Sequence, residues 1–373
     1  MRIGLDARTL TAEQRSGVEL YVVELVRALS RLEGAPEIIA YVDRPIPDPE
    51  LAKAACSGPL RTKVVRARRG WLRMALPLQL RRDRVDLVHL PSTILPPLLP
   101  CPAVVTVHDL AWVKYPESYE PADLRMQQQA VPRSVKRAAH VIAVSETTAR
   151  DMVQALGTPR ERISVTLLGV SERFSPEGPR LRGNEWPGAE RISGGYLLYA
   201  GRLQRRKNLS RVLKAYHRLH GRMSAPPLVL AGGASPYSAE LAGEAVALGI
   251  QDHVMFPGYV RESLLPALYR SALAFIYVSL YEGFGMPVLE AMASGVATIT
   301  SNRSGMAEAA GEAALRVDPA SLEELAEALV RLVGDEGLRA ELAARGPARS
   351  REFTWERTAQ ETLAAYRRAV EAK

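Results

Sequence analysis

The sequence predicts an α/β protein built as two successive doubly wound domains, each a parallel sheet covered by helices. Three observations lead there. Short apolar runs alternate with amphipathic stretches along most of the chain, which is the pattern of βαβ units. The alternation breaks once, over 169–194, and then restarts. A chain of 373 residues is also longer than one core comfortably organises.

The first half gives strands at 2–7, 37–42, 62–67, 86–90, 103–110, 140–145 and 163–168. Helical spacing falls between them. Val18, Tyr21, Val22, Leu25, Leu29 and Leu32 line one face of a helix that Gly34 and Pro36 end. Residues 169–194 are rich in glycine and proline without a sustained period, and read as a linker. Strands resume at 196–201, 227–233, 253–258, 273–279, 296–301 and 314–319, with helices at 208–220 and 321–333. The tail from Trp355 reads as a closing helix. The division is 1–175 for the first domain, 176–194 for the linker, 195–352 for the second domain and 353–373 for the last helix.

Composition excludes several classes. Hydrophobic residues make up 47% and charged residues 24%, ordinary for a soluble globular protein. Cys56 and Cys101 lie in no paired motif, so neither a zinc nor a redox site is expected and the thiols are read as reduced, as in the cytoplasm. MRIGLDARTL carries a charge at Asp6 and no long apolar run, unlike a signal peptide. The most apolar stretch, 92–108, is broken by Pro96, Pro97, Pro100 and Pro102, which argues against a membrane span.

The positive charge is local. Residues 61–84 hold Arg61, Lys63, Arg66, Arg68, Arg69, Arg73, Arg81, Arg82 and Arg84 against Asp83 alone, an excess equal to the whole chain's +8. A nucleic-acid-binding protein would spread a basic stripe among stacking aromatics. Here aromatics are 6% and the basic residues form one segment, so no nucleic-acid partner is expected.

Four motifs can carry chemistry. YEGFGMPVLEAMASG (281–295) follows a strand and opens a helix at Pro287. Gly283 and Gly285 let backbone pass close to a ligand beside a helix N-terminus. Glu282 and Glu290 flank the turn. A carboxylate accepts two hydroxyl hydrogens at once, which suits a sugar and a ribose, although a solvated pair would show the same spacing. AGRLQRRKNL (200–209) also joins a strand to a helix. Arg202 and Lys207 can reach the strand-end crevice and balance a diphosphate, whereas Arg205 and Arg206 read as a solvated basic turn. Asn208 reads as the helix cap. VHDL (107–110) places His108 and Asp109 at a strand end, where a lone histidine can equally be structural. RSGVEL (15–20) sets Gly17 before a helix, suited to phosphate or sugar but not a GxGxxG fingerprint.

Taken in chain order, from RSGVEL through VHDL, VSE (144–146), LLGV, AGRLQRRKNL and EGFGMPVLEAMASG to SNRSGMAEAAGEAALRVDP, these motifs resemble family 4 retaining glycosyltransferases of the GT-B fold across almost the whole chain. The resemblance implies two Rossmann-like domains facing a cleft, with a last helix crossing back to the first domain. It makes Glu282 the acid that holds donor-sugar hydroxyls, with Gly283, Phe284, Gly285 and Met286 presenting backbone amides. Glu290 becomes the ribose acid, and Arg202 and Lys207 the diphosphate cations that replace a divalent metal. His108 would contact the donor sugar and Gly17 the phosphates. No metal ligand set and no cofactor beyond the nucleotide-sugar co-substrate are expected.

Within that family, RSGVEL and SNRSGMAEAAGEAALRVDP resemble the subgroup containing bacterial mannosyltransferases of surface-polysaccharide assembly. That likeness favours GDP-mannose as donor and a glycan or lipid-linked acceptor, with UDP-glucose or another UDP-sugar as the alternative. A non-catalytic sugar-nucleotide-binding protein is the remaining rival. The 61–84 segment combines its arginines with Trp71, Leu72, Met74, Leu76, Leu78 and Leu80. That is the chemistry of a surface resting on anionic lipid, or of a solvated arginine-rich helix. Pro77 argues against one straight helix there. A cytoplasmic protein peripheral on the inner membrane face follows from the first reading.

Overall fold

The computed structural model describes residues 1–67, 69–181, 192 and 195–371. Arg68 of the basic segment and most of the predicted linker (182–191, 193 and 194) lie outside the described residues.

Each predicted strand forms, most of them shortened at one or both ends. The first sheet contains β1 (Arg2–Asp6), β2 (Glu37–Val42), β3 (Leu60–Val64), β4 (Leu87–Leu90), β5 (Ala103–Val107), β6 (His140–Ala143) and β7 (Ile163–Val165) in the order β3-β2-β1-β4-β5-β6-β7. The second contains β8 (Leu197–Ala200), β9 (Leu228–Ala231), β10 (Val254–Met255), β11 (Ala274–Tyr277), β12 (Thr298–Ser301) and β13 (Leu315–Val317) in the order β10-β9-β8-β11-β12-β13. All recorded pairings are parallel; Ile3 sits opposite Ile38 and Leu87, and Leu198 opposite Val229 and Phe275. Strands buried on both faces must be apolar throughout, which is why β5 reads AVVTV and β9 reads LVLA without alternation. Both sheets have the doubly wound order, and the order reverses between β1 and β4 and between β8 and β11.

The chain divides into two units, Met1–Gly169 with Thr354–Lys373, and Val170–Phe353. The first unit therefore ends ahead of the 175 read from the sequence. The physical reason lies in the second unit: Val170 N donates to Phe353 O (3.1 Å), and the Arg270 guanidinium grips the carbonyls of Ser175 (3.2 Å) and Pro179 (3.0 Å). Glycine and proline made this stretch look like free linker, but its described start is bound to the second unit.

The last helix, Trp355–Glu371, belongs to the first unit and buries Trp355, Ala359, Leu363, Ala365, Tyr366 and Ala369 there. Its Tyr366 hydroxyl lies 2.7 Å from His89 Nδ1, and His89 Nε2 lies 2.7 Å from Thr106 Oγ1. Burial lowers the His89 pKa to about 3, so the ring is neutral at neutral pH. In the basic segment, a π-helical turn (Trp71–Ala75) leads into the helix Leu76–Arg82 with Pro77 in its first turn, where a missing N–H costs nothing. Among the described residues no helix is long and apolar enough to cross a membrane.

Candidate active site

In an open doubly wound sheet the crevice opens at the carboxyl ends of the two strands where the order reverses. In the second unit these are β8 and β11. The segments that leave them are GRLQRRKN and the loop before Met286, so strand order alone brings the two charged motifs together.

After β8 the chain turns at Gly201 (φ 151°), and Gly232 passes so close that a Cβ there would lie 2.1 Å from Gly201 O. A 3-10 turn, Arg205–Lys207, follows, and then Asn208 at φ 65° before the helix Leu209–His220. Asn208 holds the N-cap position, but its side chain does not cap. Nδ2 donates to Val278 O (3.1 Å) and Pro319 O (2.8 Å), and Oδ1 accepts from Arg211. Asn208 thus bolts the basic turn to the end of β11, correcting the role read from the sequence.

Glu282 is the centre of the site. It is 8% exposed. Oε1 accepts from Lys207 Nζ and from the Tyr277 hydroxyl (3.3 Å), and Oε2 pairs with Arg206 Nη1 (3.0 Å). Lys207 Nζ also donates to the Tyr277 oxygen (2.8 Å). Burial pushes the Glu282 carboxyl up; Arg206 and then Lys207 more than reverse this, and its pKa is lowered to about 2. Glu282 is therefore a fixed anion at every physiological pH.

Arg206 was expected in solvent and is not there. Its side chain is 14% exposed, and Nη1 donates also to Tyr281 O (3.0 Å). Arg205 does face solvent, in an exposed pair with Glu240 (2.7 Å). Arg202 is exposed, and among the described residues its guanidinium has no hydrogen-bond or ion-pair partner in the Glu282 cluster.

A third segment, unassigned from the sequence, supports the loop. Ser304, at φ 58°, accepts from Glu282 N through Oγ (3.2 Å), and Gly305 N donates to Glu282 O (3.1 Å). A Cβ at Gly305 would lie 2.1 Å from Gly283 O, so only glycine admits this approach. Phe284 turns into the core, edge-on to Phe353 (5.7 Å), leaving its backbone to the loop. Gly285, at φ 108°, is the N-cap of the helix Met286–Ala293. Glu290 is in that helix and half-buried, and its Oε2 accepts from the Tyr269 hydroxyl (2.9 Å).

The structure thus brings Lys207 and Glu282 together, adds Arg206 and Tyr277, and gives Glu290 a separate partner. A sequence signal for Tyr277 existed: it is the last residue of the strand that feeds the loop.

In the first unit, Gly17 opens the helix Gly17–Leu29, and the Ser16 N-cap is closed by Glu19, whose carboxylate accepts from Ser16 N (2.8 Å). His108 follows β5. Its Nε2 lies 2.9 Å from Pro91 O, which can only accept, so Nε2 carries the proton and Nδ1 is the acceptor. Burial holds the ring's pKa below the usual histidine value against the opposing pull of the Pro91 carbonyl. Among the described residues no three His, Cys, Asp or Glu side chains are grouped to hold a metal ion.

Residues 15–174 match the family described as Glycosyltransferase Family 4, and residues 187–349 match Glycosyl transferases group 1. The O-antigen chain mannosyltransferase B of Escherichia coli is 32% identical over 291 residues, covering 77% of this chain and 75% of that one. This chain is a family 4 glycosyltransferase. The fold agrees. Sucrose-phosphate synthase from Thermosynechococcus elongatus superposes with a TM-score of 0.75 at 21% identity, covering all of both chains. Anabaena HepE in complex with UDP-glucose gives 0.72 at 18%, covering 97% of this chain and 98% of that one. The architecture of this glycosyltransferase is GT-B.

Proposed function

We propose that this glycosyltransferase moves mannose from GDP-mannose to a glycan or lipid-linked acceptor, with retention at the anomeric carbon and without a divalent metal. The observation that carries the reading is the buried Glu282 carboxylate held between Lys207 and Arg206 where the second sheet's order reverses. The likeness to a mannosyltransferase supports the choice of donor; the likeness to a protein solved with UDP-glucose keeps a UDP-sugar as the alternative.

The chemistry follows from charge. Departure of a nucleoside diphosphate builds negative charge on the leaving oxygens. Lys207 and Arg202 are fixed cations suited to stabilise it as it develops, the work a divalent metal would otherwise do. Glu282 and the amides of Gly283 to Met286 take the donor-sugar hydroxyls, and Glu290 the ribose. His108 is assigned to the donor sugar, its unprotonated Nδ1 accepting from a hydroxyl, and Gly17 to the phosphates. The transition state is oxocarbenium-like. No side chain is assigned as a covalent nucleophile. The acceptor oxygen attacks on the face the diphosphate leaves, and a diphosphate oxygen takes its proton.

The test is a panel of nucleotide sugars scored for release of nucleoside diphosphate, with and without EDTA, and anomeric analysis of the product. The reading expects selective turnover of GDP-mannose, indifferent to EDTA, giving the α-anomer. Turnover abolished by EDTA would refute metal independence, and a β-anomer would refute retention.

The acceptor bears on localisation. Met74 and Leu78, one helical turn apart, are 63% and 58% exposed, beside exposed Arg73, Arg81 and Arg82. Apolar side chains among arginines suit anionic lipid, and we infer a cytoplasmic enzyme resting on the inner membrane face. Vesicles with anionic lipid should sediment the protein at low salt and neutral vesicles should not; equal binding would discard the inference.

A further inference from the structure

We propose that Arg206 is the resident counterion of Glu282, a positioning residue that keeps this carboxylate paired and aimed when Lys207 is drawn to the donor's diphosphate. The inference rests on the donor-binding role given to Lys207 and Glu282 above. It begins from a conflict in that role. The structure commits Lys207 to Glu282 and Tyr277. A lysine that turns to a diphosphate lends its charge elsewhere, and a buried carboxylate stripped of its cation is strongly destabilising. A second cation that stays behind resolves the conflict.

Arg206 has the geometry of one that stays. Its Nη1 reaches both Glu282 Oε2 (3.0 Å) and Tyr281 O (3.0 Å), and its own carbonyl accepts from Leu280 N (2.8 Å). Both ends of the residue are tied to the loop that carries the acid. Lysine is a compact charge on a flexible stem, whereas the guanidinium is a planar fork that holds an orientation. A carboxylate offers about four lone-pair sites, so an arginine on Oε2 still leaves acceptors for sugar hydroxyls. The neighbouring Arg205, more than half exposed in its pair with Glu240, has none of these ties.

The rival is that Arg206 binds the diphosphate itself. Arg206→Gln and Arg206→Lys, with Lys207→Gln as comparator, separate the two by three readouts. If Arg206 is the counterion, Arg206→Gln lowers kcat/KM for the donor by about 10- to 100-fold. It raises the acid limb of the pH profile by about one unit. It changes the affinity for the free nucleoside diphosphate less than about threefold, while Lys207→Gln loses about tenfold or more. Arg206→Lys restores most of the acid limb. If nucleoside diphosphate affinity falls in Arg206→Gln as far as in Lys207→Gln while the acid limb stays in place, the counterion role is wrong.

Melting temperature against pH tests the pair without any turnover. The deficit of Arg206→Gln relative to the unmodified enzyme should be largest near pH 7 and shrink below about pH 5, because the variant's carboxyl protonates first. A deficit constant with pH overturns the proposal. A chain that turns over no sugar nucleotide yet shows the shrinking deficit would instead overturn the donor-binding reading and leave the ion pair standing.

Discussion

The two units share a strand order, and the buried histidines of the first are held in the opposite way to the buried Glu282 of the second. Near the strand ends of the first, two buried histidines are held neutral, while the buried Asp6 at the end of β1 pairs with Arg8 (2.8 Å). His89 sits between Thr106 and Tyr366 with its pKa lowered to about 3, and His108 donates its Nε2 proton to Pro91 O, with burial holding the ring's pKa below the usual histidine value. At the strand ends of the second, the buried acid is held charged, with its pKa lowered to about 2 by two cations that outweigh its burial. The same scaffold therefore supports a neutral hydrogen-bonded ring in one place and an ionic grip in the other. What decides is the partner supplied: hydroxyls and carbonyls for the two histidines, Arg206 and Lys207 for Glu282.

Removing the ionic grip should have the largest effect. Glu282→Ala and Lys207→Ala should each lower turnover by about 100-fold or more, with the circular dichroism spectrum of a folded protein retained. A variant with near-normal turnover would place the chemistry elsewhere.

The neutral ring should matter less for rate and more for acid stability. The sign is set by the direction of the shift. The folded His89 binds its proton far less readily than an unfolded histidine, so stability is fully present above about pH 6.5 and is lost progressively as pH falls toward 3. The His89→Gln variant is expected to be less stable at pH 7 but to lose less of that stability between pH 7 and 5. For one proton the slope removed is at most about 1.4 kcal/mol per pH unit. Parallel stability–pH curves would show that His89 is not the group responsible. The smallest effect belongs to the exposed Arg205–Glu240 pair: Arg205→Ala should shift stability by less than about 1 kcal/mol and leave turnover unchanged.

How much of this was readable beforehand depends on what each feature requires. Strands buried on both faces must be continuously apolar, which made strands such as β5 and β9 legible; the part-exposed β3 (LRTKV) and β13 (LRV) were legible from the βαβ alternation instead. The meeting of Lys207 and Glu282 was legible as a resemblance in motif order, and strand order supplies the reason for it. Arg206 was not. Three basic residues in a row give no hint of which faces inward. In the 3-10 turn they occupy, successive side chains point about 120° apart. Arg205 points out while Arg206 and Lys207 meet the acid. Asn208 was misread for a related reason: the residue is right for a cap, but its left-handed backbone and two distant carbonyls give the side chain other work. The boundary near Gly169 was blurred because arginine–carbonyl ties such as those of Arg270 leave no periodic trace in sequence.

The placement of helix Trp355–Glu371 has a consequence for synthesis. Every residue of the second unit leaves the ribosome before the segment that carries Tyr366. The second Rossmann layer can consolidate while the first still waits for its final stave, with His89 lacking its phenolic neighbour. The half of the enzyme that is translated first is thus the half that is finished last.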